Sequence, residues 1–284
     1  MQPSPTAFPP DQVESPQPKM IATSPPVQDH RIDTPDGVLF CRVWSPAVSG
    51  ARAPIVLLHD SLGSVELWRG FPEALCAATG RQVVAYDRLG FGRSDAHPAT
   101  LALDFIAREA ENGFDTVLRH LGIEGFILFG HSVGGGMAVN CAAHHAGTCV
   151  GLVTESAQSF LEERTVKGLE EAREFFKDPA QIARLERYHG DKARWVLDAW
   201  IESWLHPEFE TWSLREVLPQ LRCPALAIHG IEDEYGTTRH PELIAELSGG
   251  PTRLALMPDT RHVPHREKEA EVIAMVAEFV RELP

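Results

Sequence analysis

Three residues of this chain have the types and the order needed for nucleophilic acyl transfer. Ser132 sits in Gly130-His131-Ser132-Val133-Gly134, a G-x-S-x-G pattern that follows an apolar run and opens a helical one. The small residues around it permit a tight strand-to-helix turn that lifts the hydroxyl clear of a sheet edge, with unpaired helix N–H groups behind it. A serine hydroxyl is a weak nucleophile at neutral pH, so it needs a base within hydrogen-bond reach and an acid to orient that base. Asp233, in His229-Gly230-Ile231-Glu232-Asp233, and His262, in the stretch Asp259-Thr260-Arg261-His262-Val263-Pro264-His265, supply both. The order Ser132, Asp233, His262 is the one in which a nucleophile on such a turn meets its acid and its base.

Two further residues compete for these roles. Glu155 follows the strand before the long interruption described below and could serve as the acid, and His265 could serve as the base. Glu232 and Glu234 read as solvated neighbours, and His131 adjoins the nucleophile. An attacked carbonyl also needs N–H donors for the charge that develops on its oxygen. Val133 N–H, directly after the nucleophile, is one; Ser61 N–H, in the loop His59-Asp60-Ser61-Leu62-Gly63-Ser64, is the other. The loop Tyr86-Asp87-Arg88-Leu89-Gly90-Phe91-Gly92-Arg93-Ser94 reads as a wall of the site or as a loop that only shapes the fold, and it receives no catalytic role.

These loops must be carried by a rigid frame, and the chain alternates short apolar runs with helical stretches as a largely parallel sheet covered on both faces requires. Residues 38–44 read as a strand that begins an antiparallel edge. The runs at 55–59, 82–87, 126–129, 151–154, 225–229 and 253–257 read as further strands. Helices are expected over 67–79, 101–121, 133–145 and 267–281. Between about 159 and 217 the strand rhythm stops, and a charged, helix-rich stretch carries four of the six tryptophans, Trp195, Trp200, Trp204 and Trp212. It reads as an inserted cap, its tryptophans forming either an apolar underside over the site or the cap's own packing. Residues 1–28 hold eight prolines among Ser, Gln and Thr and read as a disordered tail, which leaves 29–284 as one domain.

Composition removes several function classes. The 26 basic and 40 acidic residues give a formal charge of -14, which repels phosphate backbones and anionic membranes, so no nucleic-acid partner is expected. No apolar run approaches the roughly 18 residues of a membrane span, and no basic start with an apolar block marks a signal peptide, so a cytoplasmic location is expected. The five cysteines are scattered without C-x-x-C spacing and read as reduced core thiols rather than a metal or redox site. Oligomeric state is left open.

Taken together, the His59–Ser64 loop, the Asp87–Ser94 loop, the elbow at Ser132 and the later acid and base loops resemble the α/β-hydrolase superfamily, in its capped esterase-like branch, from Arg31 to Leu283. The resemblance implies an eight-stranded, mostly parallel sheet with a helical cap inserted after the sixth strand, and a Ser-His-Asp hydrolase with neither cofactor nor metal. One departure stands out, Asp60 where the family usually has glycine. Serine at 132 also separates the chain from relatives that use an aspartate nucleophile. The expected function is cleavage of a carboxylic ester of a small-molecule substrate. The same triad could act instead on a thioester, an amide or the carbon-carbon bond of a diketone, and the fold could serve as a non-enzymatic ligand receptor.

Overall fold

The computed structural model describes residues 25–47, 50 and 52–284. Its strands are β1 (Val27–Thr34), β2 (Gly37–Trp44), β3 (Ile55–Leu58), β4 (Val83–Asp87), β5 (Phe126–His131), β6 (Cys149–Glu155), β7 (Ala225–Gly230) and β8 (Thr252–Met257). They form an eight-stranded sheet in the order β1-β2-β4-β3-β5-β6-β7-β8. β2 pairs antiparallel with β1 and with β4, and the pairs from β4 through β8 are parallel.

The uniformly apolar runs have a simple physical cause. Successive side chains of a strand point to opposite faces, and here both faces are covered. Val56, Leu58, Val84, Leu128 and Leu152 pack into one core layer, while Ile55, Leu57, Val83, Ile127 and Val153 pack into the other. The helices are α1 (Phe71–Thr79), α2 (Phe105–Arg108), α3 (Gly113–Leu121), α4 (Val133–His144), α5 (Glu163–Phe175), α6 (Pro179–His189), α7 (Ala193–Trp204), α8 (Arg239–Leu247), α9 (Pro264–Glu267) and α10 (Glu269–Arg281). The first core layer takes Phe114 of α3, Met137 of α4 and Leu243 of α8. The second takes Phe71 of α1 and Val276 of α10. β3 has β4 on one side and β5 on the other, so the chain changes direction along the sheet there and opens a crevice at the carboxyl ends of β3 and β5.

Several boundaries differ from expectation for local reasons. Residues 1–24 of the stretch read as a tail lie outside the described residues. Val27 and Gln28, assigned to that tail, instead pair with Trp44 and Val43, because edge pairing needs backbone groups and not apolar side chains. β1, not β2, is therefore the antiparallel edge. The helix expected at 67–79 begins at Phe71, since Pro72 fits only the first turn and Arg69 takes a positive φ of 54°. The helix expected at 101–121 is split into α2 and α3, because Glu109 turns inward to accept a hydrogen bond from the buried Tyr86 hydroxyl. α8 was not expected at all; Pro241 in its first turn obscures its start.

Between β6 and β7 the chain leaves the sheet and forms α5, α6 and α7 with short 3₁₀ turns. An antiparallel bridge from Phe160 to Ser213 and a hydrogen bond from Leu214 N–H to Ser159 carbonyl (2.8 Å) close the base of this insert. Its internal apolar cluster is small and borrows Phe91 from the loop after β4 to pack Leu185, Val196, Leu197 and Ile201. All five cysteines are buried and free.

Candidate active site

Ser132 follows β5 and precedes α4, with φ 55° and ψ -125°. A non-glycine residue in this region is strained by about 1–3 kcal/mol and persists only where its surroundings dictate it. They do so here through backbone crowding. A Cβ on Gly130 would lie 2.1 Å from Gly134 carbonyl oxygen, and one on Gly134 would lie 2.2 Å from Leu58 carbonyl oxygen. The glycines let strand and helix meet closely enough to raise the serine between them.

The hydroxyl of Ser132 lies 3.1 Å from His262 Nε2, and His262 Nδ1 lies 2.9 and 2.8 Å from the two Asp233 carboxylate oxygens. A nitrogen facing a carboxylate at that range carries the proton, so Nε2 presents its lone pair to the serine. Asp233 is fully buried at the end of the turn after β7, where Tyr235 and Gly236 N–H also donate to it. Burial alone would raise its carboxyl, but the charge and hydrogen bond of His262 prevail and bring it from 3.8 down to about 2. The loop after β8 holds His262 from both ends: its N–H donates to Glu234 (3.2 Å), and its carbonyl accepts from His131 Nε2 (2.9 Å).

Glu155 and His265 do not enter this line. They pair with each other beneath it, Glu155 Oε2 2.5 Å from His265 Nδ1, with Trp68 and Phe71 against the imidazole. Burial holds His265 below its ordinary pKa despite the nearby carboxylate, so the ring is neutral. Burial would raise Glu155, yet the hydrogen bond from His265 Nδ1 and the proximity of His131 hold it below its ordinary value. With His131 they form a buried group whose ligand atoms lie within 4.8 Å of one another. Two of their hydrogen bonds act as a buttress, His131 on the His262 loop and His265 on Glu155, while Glu155 Oε1 and His131 Nδ1 have no hydrogen-bond partner among the described residues.

Asp60 turns inward. Its Oδ1 accepts from Leu62 N–H (2.8 Å), and its Oδ2 lies 3.4 Å from His131 Nδ1. Burial opposes charge on both groups, and their mutual attraction outweighs it: Asp60 is held far below the usual carboxylate range and His131 is raised above its ordinary value. The residue that departs from the family pattern thus faces His131, whose Nε2 supports the loop of His262.

The cavity above Ser132 has a volume of about 190 Å³. Its walls include Asp60, Ser61, Leu62 and His262 from sheet loops, and Leu169, Trp200 and Trp204 from the insert. The tryptophans divide two and two. Trp200 and Trp204 face the cavity, whereas Trp195 stacks on His97 and Trp212 stacks on Phe209. Neither Ser61 N–H nor Val133 N–H has a hydrogen-bond partner among the described residues. The insert is moored to the acid loop: Arg164 donates to Asp233 carbonyl (2.9 Å), Thr165 to Tyr235 carbonyl (2.7 Å), and Glu162 accepts from Thr237 N–H (2.6 Å).

One neighbour of the nucleophile carries no sequence signal. Gln158 Oε1 lies 3.3 Å from Ser132 Oγ, so it competes with His262 for the single hydroxyl proton. It stands in an irregular segment after β6, outside any motif.

Residues 53–201 match a family model described as alpha/beta hydrolase fold. The human protein named Serine hydrolase BPHL (Homo sapiens) is 27% identical over 205 residues, which cover 70% of this chain and 69% of that protein. Among solved structures, a proline iminopeptidase of Mycobacterium smegmatis is similar with a TM-score of 0.68 at 22% identity, covering 90% of this chain and 98% of its own. The enol-lactonase of Burkholderia xenovorans LB400 is similar with a TM-score of 0.68 at 20% identity, covering 89% and 100% respectively. At such identities these two structures speak to the fold alone. No helix among the described residues is long and apolar enough to cross a membrane.

Proposed function

The chain belongs to the α/β-hydrolase family, and from that premise we propose that it is a serine hydrolase that cleaves a carboxylic ester of a small molecule through an acyl-enzyme on Ser132. The observation that carries this reading is the unbroken line from Asp233 through His262 to Ser132 Oγ, with donor and acceptor roles that leave a lone pair on the serine side. His262 takes the hydroxyl proton as Ser132 attacks the carbonyl carbon. Asp233 fixes the tautomer and stabilises the imidazolium. The N–H groups of Ser61 and Val133 receive the developing oxyanion. His262 returns the proton to the departing alkoxide, and water repeats the sequence to release the acid.

An ester of modest size suits the cavity, whose insert side is apolar at Leu169, Trp200 and Trp204. Within this reading the insert acts as a cap and sets the acyl group. For the attack, the Ser132 hydroxyl must turn from Gln158 Oε1 to His262 Nε2.

Replacement of Ser132 by alanine is expected to lower turnover of short p-nitrophenyl esters by roughly 10⁴- to 10⁶-fold and to abolish covalent labelling by a fluorophosphonate. Undiminished hydrolysis by the folded variant would overturn the assignment. Cleavage of thioesters, amides or diketones by the wild type without any esterase activity would keep the triad and overturn the ester.

A further inference from the structure

Arg88, the first residue after β4, is buried with no carboxylate at ion-pair distance among the described residues. It is 5% exposed. Its Nη2 donates to Asp60 carbonyl at 2.7 Å, its Nη1 faces Met137 Sδ at 3.2 Å, and its Nε and its own backbone N–H both approach His59 Nε2, at 3.3 and 3.2 Å. All these acceptors are neutral. Glu109, a half-buried acid in the same region, accepts from the Tyr86 hydroxyl, and desolvation raises its pKa. A guanidinium stays charged under such conditions; Glu109, Asp60 and Asp87 favour that charge from beyond ion-pair distance, and its direct hydrogen bonds all go to neutral groups.

What gains from the charge is a single peptide group. The Asp60 carbonyl that accepts from Arg88 belongs to the same amide as Ser61 N–H. His59 Nδ1 lies 2.8 Å from that carbonyl. Two Arg88 N–H groups converge on His59 Nε2, against one approach of Nη2 to Nδ1 at 3.2 Å, so we take Nδ1 to bear the proton and to donate to the Asp60 carbonyl. Burial and the adjacent guanidinium keep the ring neutral. The Asp60 oxygen therefore receives two donors, one of them cationic. Electron density drawn toward that oxygen leaves the amide N–H more acidic and a stronger donor, as hydrogen bonds in a chain polarise one another. Arg88, Ser61 and Val133 also border one void of about 10 Å³. That is scarcely the space of one water on this side of the guanidinium.

Resting on the Ser132 reading above, we propose that Arg88 is a positioning residue for the transition state: with His59 it clamps and polarises the Asp60–Ser61 peptide, so that Ser61 N–H binds the oxyanion. Arg88 touches no reacting atom. It acts through the amide, so its effect belongs to the tetrahedral species and not to the bound ester.

The test compares wild type with Arg88→Met and Arg88→Lys, each checked for folding by circular dichroism. Steady-state hydrolysis of a p-nitrophenyl ester is paired with inhibition by phenylboronic acid, whose tetrahedral adduct with a serine places an oxygen where the oxyanion forms. Removal of one complete oxyanion donor costs roughly 10²- to 10³-fold, so weakening one should lower kcat by about 10- to 100-fold in Arg88→Met, with KM within about 3-fold. Arg88→Lys, which keeps the charge but cannot span both Asp60 and His59, should fall between. The boronate inhibition constant should rise in proportion to the loss in kcat/KM across the three proteins. A fall in kcat with unchanged boronate affinity would overturn the proposal by making Arg88 merely structural, and so would full activity in either folded variant. If Arg88→Met does not fold, the same proportionality in Arg88→Lys decides the matter. A wild type that neither turns over esters nor reacts with fluorophosphonate at Ser132 would overturn the triad reading, and this inference with it. An active wild type with indifferent Arg88 variants would overturn this inference alone.

Discussion

Gly134 at the carboxyl end of the sheet and Gly168 in the helical insert stand on opposite sides of the site, and each lacks a side chain for a different reason. A Cβ on Gly134 would strike a backbone oxygen of β3 at 2.2 Å. One on Gly168 would meet the Tyr235 ring at 2.8 Å, and a ring can swing aside. The same contrast runs through the two regions. At the sheet end, strands filled on both faces fix loop ends to within fractions of an ångström, as chemistry requires. The insert rests on a small apolar cluster completed by a residue borrowed from the sheet domain.

This contrast can be broken at several points. The largest effect is expected from Asp233→Asn, which preserves the shape of the acid loop but permits the wrong His262 tautomer. Such an exchange lowers kcat by roughly 10⁴-fold, and ester turnover within 10-fold of wild type would remove Asp233 from the chemistry. Next comes Gly134→Ala, expected to cost about 4 kcal/mol or more because the β3 backbone cannot yield. Gly168→Ala should cost under about 1 kcal/mol by the same denaturant titration, and equal costs would erase the distinction between the two regions.

Acid stability gives a third measure. The carboxyl of Asp233 is lower in the folded protein than in the unfolded chain, so it contributes stability above the unfolded value of 3.8 and loses it as pH falls toward about 2. Wild type should therefore lose about 2 kcal/mol more than Asp233→Asn between pH 4 and pH 2, as urea midpoints across that window would reveal. Parallel curves for the two proteins would contradict the depressed carboxyl. The smallest effect is expected in the insert. Trp200→Ala should raise KM for apolar acyl groups roughly 3- to 10-fold with little change in kcat, and a collapse of kcat would give the insert a part in the reaction itself.

The same contrast explains what could be read from the chain. Ser132, Asp233 and His262 were legible because each follows a run of apolar residues that only a doubly covered strand tolerates, so their loops had to emerge at one sheet edge. The interruption between β6 and β7 was legible as a loss of that rhythm. Its detail was not: two of its four tryptophans face the cavity and two pack elsewhere, and helical spacing alone does not say which. Arg88 lies in a loop that reads as a wall of the site or a shaping element, and its contacts to His59 and Asp60 come from the loop after the neighbouring strand β3. Gln158 lay in no motif. Asp60 was noticed as a departure, but its partner His131 became visible only when the loops after β3 and β5 stood side by side.

The mooring of the insert bears on motion. Glu162, Arg164 and Thr165 tie the start of α5 to residues 233–237, while Lys192 donates to Gly92 carbonyl and His189 accepts from Gly92 N–H on the opposite flank. Any breathing of the insert that admits a substrate, on the microsecond to millisecond scale of such movements, therefore pulls on the acid loop at one end and on the loop of Arg88 at the other. The contacts that hold the insert in place and those that hold the loop of Asp233 are thus in part the same contacts.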